Sequence, residues 1–134
     1  MAYEGLTLSM PATEFVDSMM SRGLMIDSAH TDDDVISLVN PDTKSYNMLV
    51  QSHNDTILVI QETFTASYND STRQLWQAKR DFYAELYGMP EYTNKGEDRK
   101  EALWKGDKGR LAINLINTYT PSLVILFDTR VEKK

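Results

Sequence analysis

The chain repeats one pattern of apolar and polar residues at a spacing of about 65 residues. In each copy an amphipathic helical segment ends at a glycine, Gly23 in the first half and Gly88 in the second, and three short apolar runs follow it. The runs begin at Val35, Tyr46 and Ile57 in the first half and at Ala102, Arg110 and Ser122 in the second. Because residue identities do not repeat, the pattern fits either a duplicated unit or two units that arose separately.

This pattern predicts an α+β fold of two helix-plus-three-strand-meander units that form one mainly antiparallel sheet, with the helices packed on one face. The units cover about residues 1–66 and 67–130 of a single domain, and residues 130–134 are predicted to form a charged, frayed tail. Residues 57–60 and 123–127 are apolar on both faces of a strand, which is typical of strands at the centre of a sheet.

The two helices have different predicted boundaries and faces. Ser9 is the predicted N-cap of the first helix, with Pro11 in its first turn. Asp70 or Ser71 caps the second, which ends near Gly88. The second helix has one broad apolar face that can pack on the sheet or bind a partner, formed by Leu75, Trp76, Phe82, Tyr83, Leu86 and Tyr87. The polar segment 91–101 is predicted to be a long loop.

Charge is distributed unevenly along the chain. The formal net charge of −6 divides into −8 for residues 1–66, which hold ten acidic and two basic side chains, and +2 for residues 67–134. This difference in charge between the halves can orient a protein partner or align two copies head to tail in a homodimer. It is also typical of a solvated surface.

Nucleic-acid binding is disfavoured by the same charge distribution. A basic cluster around Trp104 is interleaved with four acidic side chains, which lower its local charge to +2. The basic residues of the cluster are Lys95, Arg99, Lys100, Lys105, Lys108 and Arg110.

No cofactor or metal motif stands out. The chain has no cysteine, and the consecutive aspartates 32–34 lack the glycine and the bidentate glutamate of a calcium loop. His30 and His53 fall in predicted turns without a helical partner. Glu62 and Asp128 end the two predicted central strands at matching positions, so a shared site at the sheet end is one hypothesis and strand-end solvation is the other.

The sequence leaves the compartment open. Residues 1–25 contain no export-signal pattern, and no apolar stretch is long enough to span a bilayer. The default expectation is therefore a cytoplasmic protein without a membrane span, or an exported one whose signal has been removed.

Several short motifs resemble those of small uncharacterised α+β proteins of Bacteroidetes. They are Leu6-Thr-Leu, a helix with Glu14-Phe15 that ends Ser-Arg-Gly-Leu24, and Leu86-Tyr-Gly-Met-Pro90. The architecture is similar to β-lactamase-inhibitor-like domains and to the outer-membrane-assembly lipoprotein type. Both are non-catalytic binding domains, so the resemblance implies a binding role. Members of the group often begin with an export signal, which this sequence lacks.

The leading hypothesis is a non-enzymatic module that recognises a protein partner through an exposed sheet face, in an inhibitor-like or immunity-like role. Tyr46, Trp104 and Tyr119 are the predicted exposed aromatic residues on that face. The alternative is a small-molecule or peptide-binding protein with a pocket between the helices and the sheet. A small enzyme is the third hypothesis.

Overall fold

This computed structural model describes residues 2–3, 5–65, 69–94, 99–106, 109–116 and 122–129. These residues contain ten strands and two α-helices. The helices are α1 (Ala12–Ser21) and α2 (Asn69–Tyr87). The strands are β1 (Ala2–Tyr3), β2 (Leu6–Thr7), β3 (Met25–Ile26), β4 (Val35–Asn40), β5 (Thr43–His53), β6 (Thr56–Thr65), β7 (Glu91–Asn94), β8 (Arg99–Gly106), β9 (Gly109–Ile116) and β10 (Ser122–Asp128). The predicted α+β class, with two helices and a mainly antiparallel sheet, is confirmed.

Eight strands form one sheet in the order β3-β4-β5-β6-β10-β9-β8-β7, and β1 pairs with β2 in a separate ribbon. All the pairings are antiparallel. β6 and β10 pair at the centre, in a register that sets Glu62 opposite Ile125. The two apolar runs predicted to be central, residues 57–60 and 123–127, therefore lie on adjacent strands, with a meander extending outward from each.

Each half contributes four strands to this sheet, so the expectation of three is wrong. Two-residue β3 lies at one edge, and β7 at the other edge occupies part of the segment 91–101 that was predicted to be a loop. A polar segment can pair at the edge of a sheet because the outermost strand has unpaired backbone N–H and C=O groups, which bond to another strand whatever its side chains are. Residues 95–98 and the predicted frayed tail, 130–134, lie outside the described residues.

Both helices pack on the same face of the sheet. Trp76 of α2 donates its indole N–H to the carbonyl of Ile113 at 3.2 Å, and Tyr83 contacts Phe127 edge-to-face at 5.8 Å between ring centroids. α1 buries Phe15, whose ring packs against Tyr3 at 5.8 Å. The main core lies between the helices and this covered face.

The predicted apolar face of α2 is divided in the structure. Trp76 and Tyr83 are buried, whereas Phe82, Leu86 and Tyr87 are exposed. A helix on a flat sheet buries only the stripe that faces the strands, so a broader apolar surface remains partly in solvent. Within the described residues, neither helix is both long and apolar enough to cross a membrane.

The start of α1 depends on a residue from a distant turn rather than on Ser9. Pro11 occupies the N-cap position and makes no side-chain cap, and Asp55 accepts hydrogen bonds from the Thr13 backbone N–H at 2.9 Å and the Thr13 hydroxyl at 3.0 Å. The Asp55 carbonyl also accepts from Ala12 N–H at 2.8 Å. Asn54 and Asp55 form the tight β5–β6 turn with φ of 50° and 61°, which aspartate and asparagine tolerate.

Replacing Asp55 tests this long-range cap. We expect Asp55→Gly, which keeps the turn geometry accessible, to lower the free energy of unfolding by about 1 kcal/mol because the Thr13 N–H loses its acceptor. Asp55→Ala should cost more, since alanine is strained at positive φ by roughly another 1 kcal/mol. Urea denaturation measures both, with exposed Asp33→Ala as the control. A loss for Asp55→Gly no larger than that of the control would contradict the cap.

Candidate functional site

An open cleft of about 260 Å³ lies between the two helices and the first half of the sheet. Its walls come from six different elements or their ends: β1, the C-terminal end of α1, β4, β5, β6 and α2. The lining residues are Tyr3, Met19, Arg22, Leu24, Asn40, Tyr46, Glu62, Phe64 and Lys79. This volume is just below the range of roughly 300–1,000 Å³ typical of pockets for drug-sized ligands, so the cleft suits a small group.

Glu62 forms the polar floor of the cleft. Its side chain is buried, at 2% exposure, and its Oε2 accepts hydrogen bonds from the Tyr46 hydroxyl at 2.7 Å and the Tyr3 hydroxyl at 3.0 Å. Burying a carboxylate costs free energy unless hydrogen bonds replace its lost hydration. The two tyrosine hydroxyls provide that replacement, and they fix the position of the carboxylate.

Strand alternation explains why Glu62 points into the core. Ile60, Glu62 and Phe64 are two residues apart along β6, so their side chains share the helix-covered face. Glu62 faces Met48 on one neighbouring strand and Ile125 on the other, both of them fully buried. The prediction that Glu62 lies at a solvated strand end is therefore wrong, since β6 continues to Thr65 and Glu62 lies inside it.

The tyrosines are held in place by aromatic contacts. Tyr46 packs edge-to-face on Phe64, its cross-strand partner, with 5.0 Å between ring centroids. Tyr3 packs in the same manner on Phe15 and Phe127, at 5.8 and 5.7 Å. Because each ring is fixed by its neighbours, both hydroxyls are held in position to donate to Glu62.

Two cationic side chains line the same cleft. Arg22 is exposed at the C-cap of α1, and half-buried Lys79 belongs to α2. The Lys79 ammonium lies 5.7 Å from the centroid of the Phe64 ring, close enough for a cation–π interaction. The cleft therefore combines a carboxylate at its floor with positive charge nearer the solvent.

Of the three predicted exposed aromatics, two lie on the covered face. Trp104 is 7% exposed and donates its indole N–H to the carbonyl of Gly88 at 2.8 Å, so its predicted exposure is wrong. Tyr46 is half-buried and lines the cleft instead of the open face. Strand register pairs Tyr46 with Phe64 and Trp104 with Leu111, and both partners face the helices, so both aromatic residues lie beneath the helices. Tyr119 lies outside the described residues.

Glu62 and Asp128 do not share a site. Asp128 pairs in register with Val59, an odd number of residues from Glu62, so the two carboxylates point to opposite faces of the sheet. Asp128 is buried at 2% exposure and accepts a hydrogen bond from the Arg110 guanidinium at 3.0 Å. The hypothesis of a joint carboxylate site is therefore wrong.

His30 and the aspartate loop have local structural partners. The Nδ1 of His30 lies 2.7 Å from Oδ2 of Asp27, and Oδ1 of Asp32 accepts from the backbone N–H groups of Asp34 and Val35. His53 is exposed at the end of β5. In the described part of the chain, no three histidine, aspartate or glutamate side chains are grouped closely enough to hold a metal ion.

Sequence reasoning identified Glu62 and Tyr46 but missed Tyr3, Arg22 and Lys79. These three come from parts of the chain that are far apart, and nothing local distinguishes them from surface or core residues. Comparisons with protein-family models, curated proteins and solved structures gave no match.

The hydrogen bond between Tyr46 and Glu62 can be tested by removing one hydroxyl. We expect Tyr46→Phe to lower the free energy of unfolding by about 1–2 kcal/mol, because Glu62 loses a donor in a buried setting. Tyr87→Phe is the matched control: Tyr87 is 40% exposed, and among the described residues its hydroxyl makes two long contacts, both to Ala2, at 3.4 and 3.5 Å. Its effect should stay within about 0.5 kcal/mol. If urea denaturation shows that both variants lose the same free energy of unfolding, the Tyr46 hydroxyl has no special role.

Proposed function

We propose that the protein is a non-enzymatic binding protein whose ligand site is the cleft between α1, α2 and the sheet. The observation that carries this proposal is the buried carboxylate of Glu62, which faces the cleft from a strand position whose cross-strand neighbours, Met48 and Ile125, are apolar. A core polar residue that breaks the apolar pattern of its strand is expected mainly where function requires it.

The chemistry of the lining favours binding over catalysis. Acid–base chemistry requires two groups that exchange protons with a substrate, or a nucleophile activated by a base. Among the residues described as lining the cleft, Glu62 is the one carboxylate, and there is no histidine, serine, threonine or cysteine. The other groups there that can exchange protons are the Tyr3 and Tyr46 hydroxyls, which donate to Glu62, and Lys79, whose ammonium lies over the Phe64 ring. The hydrogen bonds from Tyr3 and Tyr46 hold Glu62 in one orientation, which suits recognition of a fixed ligand geometry.

Filling the cleft provides the direct test. We expect NMR spectra with a set of acidic, basic and neutral fragments to show shifts of the Met19 methyl signal, because Met19 lines the cleft and is buried. Leu24→Trp should abolish those shifts by occupying the cleft with an indole ring.

The control for this experiment is Met25→Trp, which adds the same ring one residue further on, where Met25 is 55% exposed and does not line the cleft. Thermal unfolding of both variants checks that they fold. If no fragment perturbs Met19 in the unmodified protein, the proposed ligand site is wrong.

A second candidate function is recognition of a protein partner by the open face of the sheet, in an inhibitor-like or immunity-like role. A largely apolar row of side chains crosses this face. Strand register places side by side Leu49 of β5, Gln61 of β6, Leu126 of β10, Ala112 of β9 and Leu103 of β8. Polar residues flank the row, as at the rim of an interface. Tyr46 and Trp104, two of the aromatic residues expected to anchor a partner, are on the other face, so this candidate ranks second.

A second copy of the chain is the partner that purified protein can test. Sedimentation velocity over a range of concentrations should show a dimer, and Leu126→Lys should dissociate it by placing a charge in the apolar row. Leu86→Lys, on the exposed side of α2 at 60% exposure, should leave the dimer intact. A monomer at every concentration would contradict self-association through this face.

We further propose that the two halves are structurally equivalent units. Each contributes a helix followed by four strands, and the sheet order is symmetrical about the β6–β10 pair, which supports this proposal. The cleft breaks the equivalence, since of its lining residues Lys79 alone comes from the second half. A crystal structure would overturn the equivalence if, after superposition of the strands of the two halves, α1 and α2 did not coincide.

A further inference from the structure

We infer that the ligand of the cleft carries a carboxylate attached to a short apolar group, with a hydrogen-bond donor beside it; this inference rests on the proposed function. The terminal residue of a peptide has this chemistry, and so does a free N-acylated amino acid. The arrangement of charge between the floor and the rim supports the assignment.

The cationic rim selects for an anion. Arg22 and Lys79 come from different helices and line one cleft, so an anionic group at the mouth meets positive charge from two sides. Arginine presents several donors in a plane that matches a carboxylate, and it can contact a ligand while it keeps other partners. A cationic ligand would be repelled by both side chains before it reached Glu62.

The walls select for an apolar group of limited size. Met19, Leu24 and Phe64 line the cleft between rim and floor, and the cavity of about 260 Å³ accommodates roughly one side chain with its backbone atoms. Burial of such a group removes apolar surface from water, which favours binding. The Phe64 ring also holds the Lys79 ammonium on its face.

The floor selects for a donor. Oε2 of Glu62 accepts from two tyrosine hydroxyls, so this end of the cleft presents a carboxylate, whose negative charge favours a donor from the ligand over another acceptor. An amide N–H adjacent to the ligand carboxylate is such a donor. A second anion placed at the floor would meet unfavourable charge from Glu62.

Calorimetric titration with defined probes tests the ligand class. N-acetyl-L-leucine should bind, whereas its neutral analogue N-acetyl-L-leucinamide and the cation L-leucinamide should bind at least about five-fold more weakly, the ratio expected for loss of one exposed ion pair. A tripeptide ending in leucine, with a free or an amidated end, distinguishes the sources. Tighter binding of the free-ended tripeptide than of N-acetyl-L-leucine identifies a peptide terminus, and loss of binding on elongation identifies a free small acid.

Variants connect the selectivity to the rim. Lys79→Gln and Arg22→Gln should each weaken N-acetyl-L-leucine about five-fold and reduce the dependence of its Kd on salt. Lys105→Gln removes the same charge from an exposed side chain outside the cleft, and should leave the Kd unchanged. Thermal unfolding establishes that each variant is folded.

The outcomes separate the two proposals. Equal binding of the acid and its amide, or unchanged affinity in both rim variants, overturns the carboxylate assignment and leaves the cleft as a ligand site. If only basic or neutral fragments shift the Met19 methyl signal, the proposed carboxylate ligand is also wrong, while the proposed binding function stands. If no fragment of any class reaches the cleft, both proposals fail together.

Discussion

The pairing of β6 with β10 is the interaction on which the rest of the structure depends. It joins residues 59–65 to residues 122–128 in seven consecutive register pairs and makes one sheet from two meanders. Toward the helices both strands present apolar side chains apart from Glu62, so their pairing buries surface that neither meander could bury alone. Because this pairing is long-range, it incurs the loop-closure entropy of much of the chain, and burial of the core must offset that cost.

The cleft follows from that central pair. Packing α1 and α2 on the same face leaves a gap between them, and Glu62 faces the gap from β6, next to the junction of the two halves. A leucine there would satisfy the strand pattern and avoid desolvating a carboxylate. Tyr3 and Tyr46 hydrogen-bond to the carboxylate and thus reduce its desolvation cost, and a residue kept at such a cost is better explained by recognition than by stability.

Particular residues show how far local patterns extend. The short apolar runs located β4, β5, β6, β8, β9 and β10, and Gly23 and Gly88, with φ of 104° and 87°, follow the ends of the two helices as expected. The patterns failed where a distant residue competed with a local one, as when Asp55 caps α1 and Ser9 does not. They also failed for β7, which pairs with β8 through its backbone despite a polar sequence.

The sequence by itself determined the class of fold, the positions of the helices and the central strands, because apolar periodicity and glycine conformation act within a few residues. Only the tertiary structure decided which sheet face the helices cover. That choice turned Tyr46 and Trp104 from expected surface anchors into residues beneath the helices. It also brought Tyr3, Arg22 and Lys79 to Glu62, because the cleft is assembled by strand register and helix packing between segments distant in the chain. A one-residue change of register would have moved Glu62 to the open face, and no local pattern specifies that register.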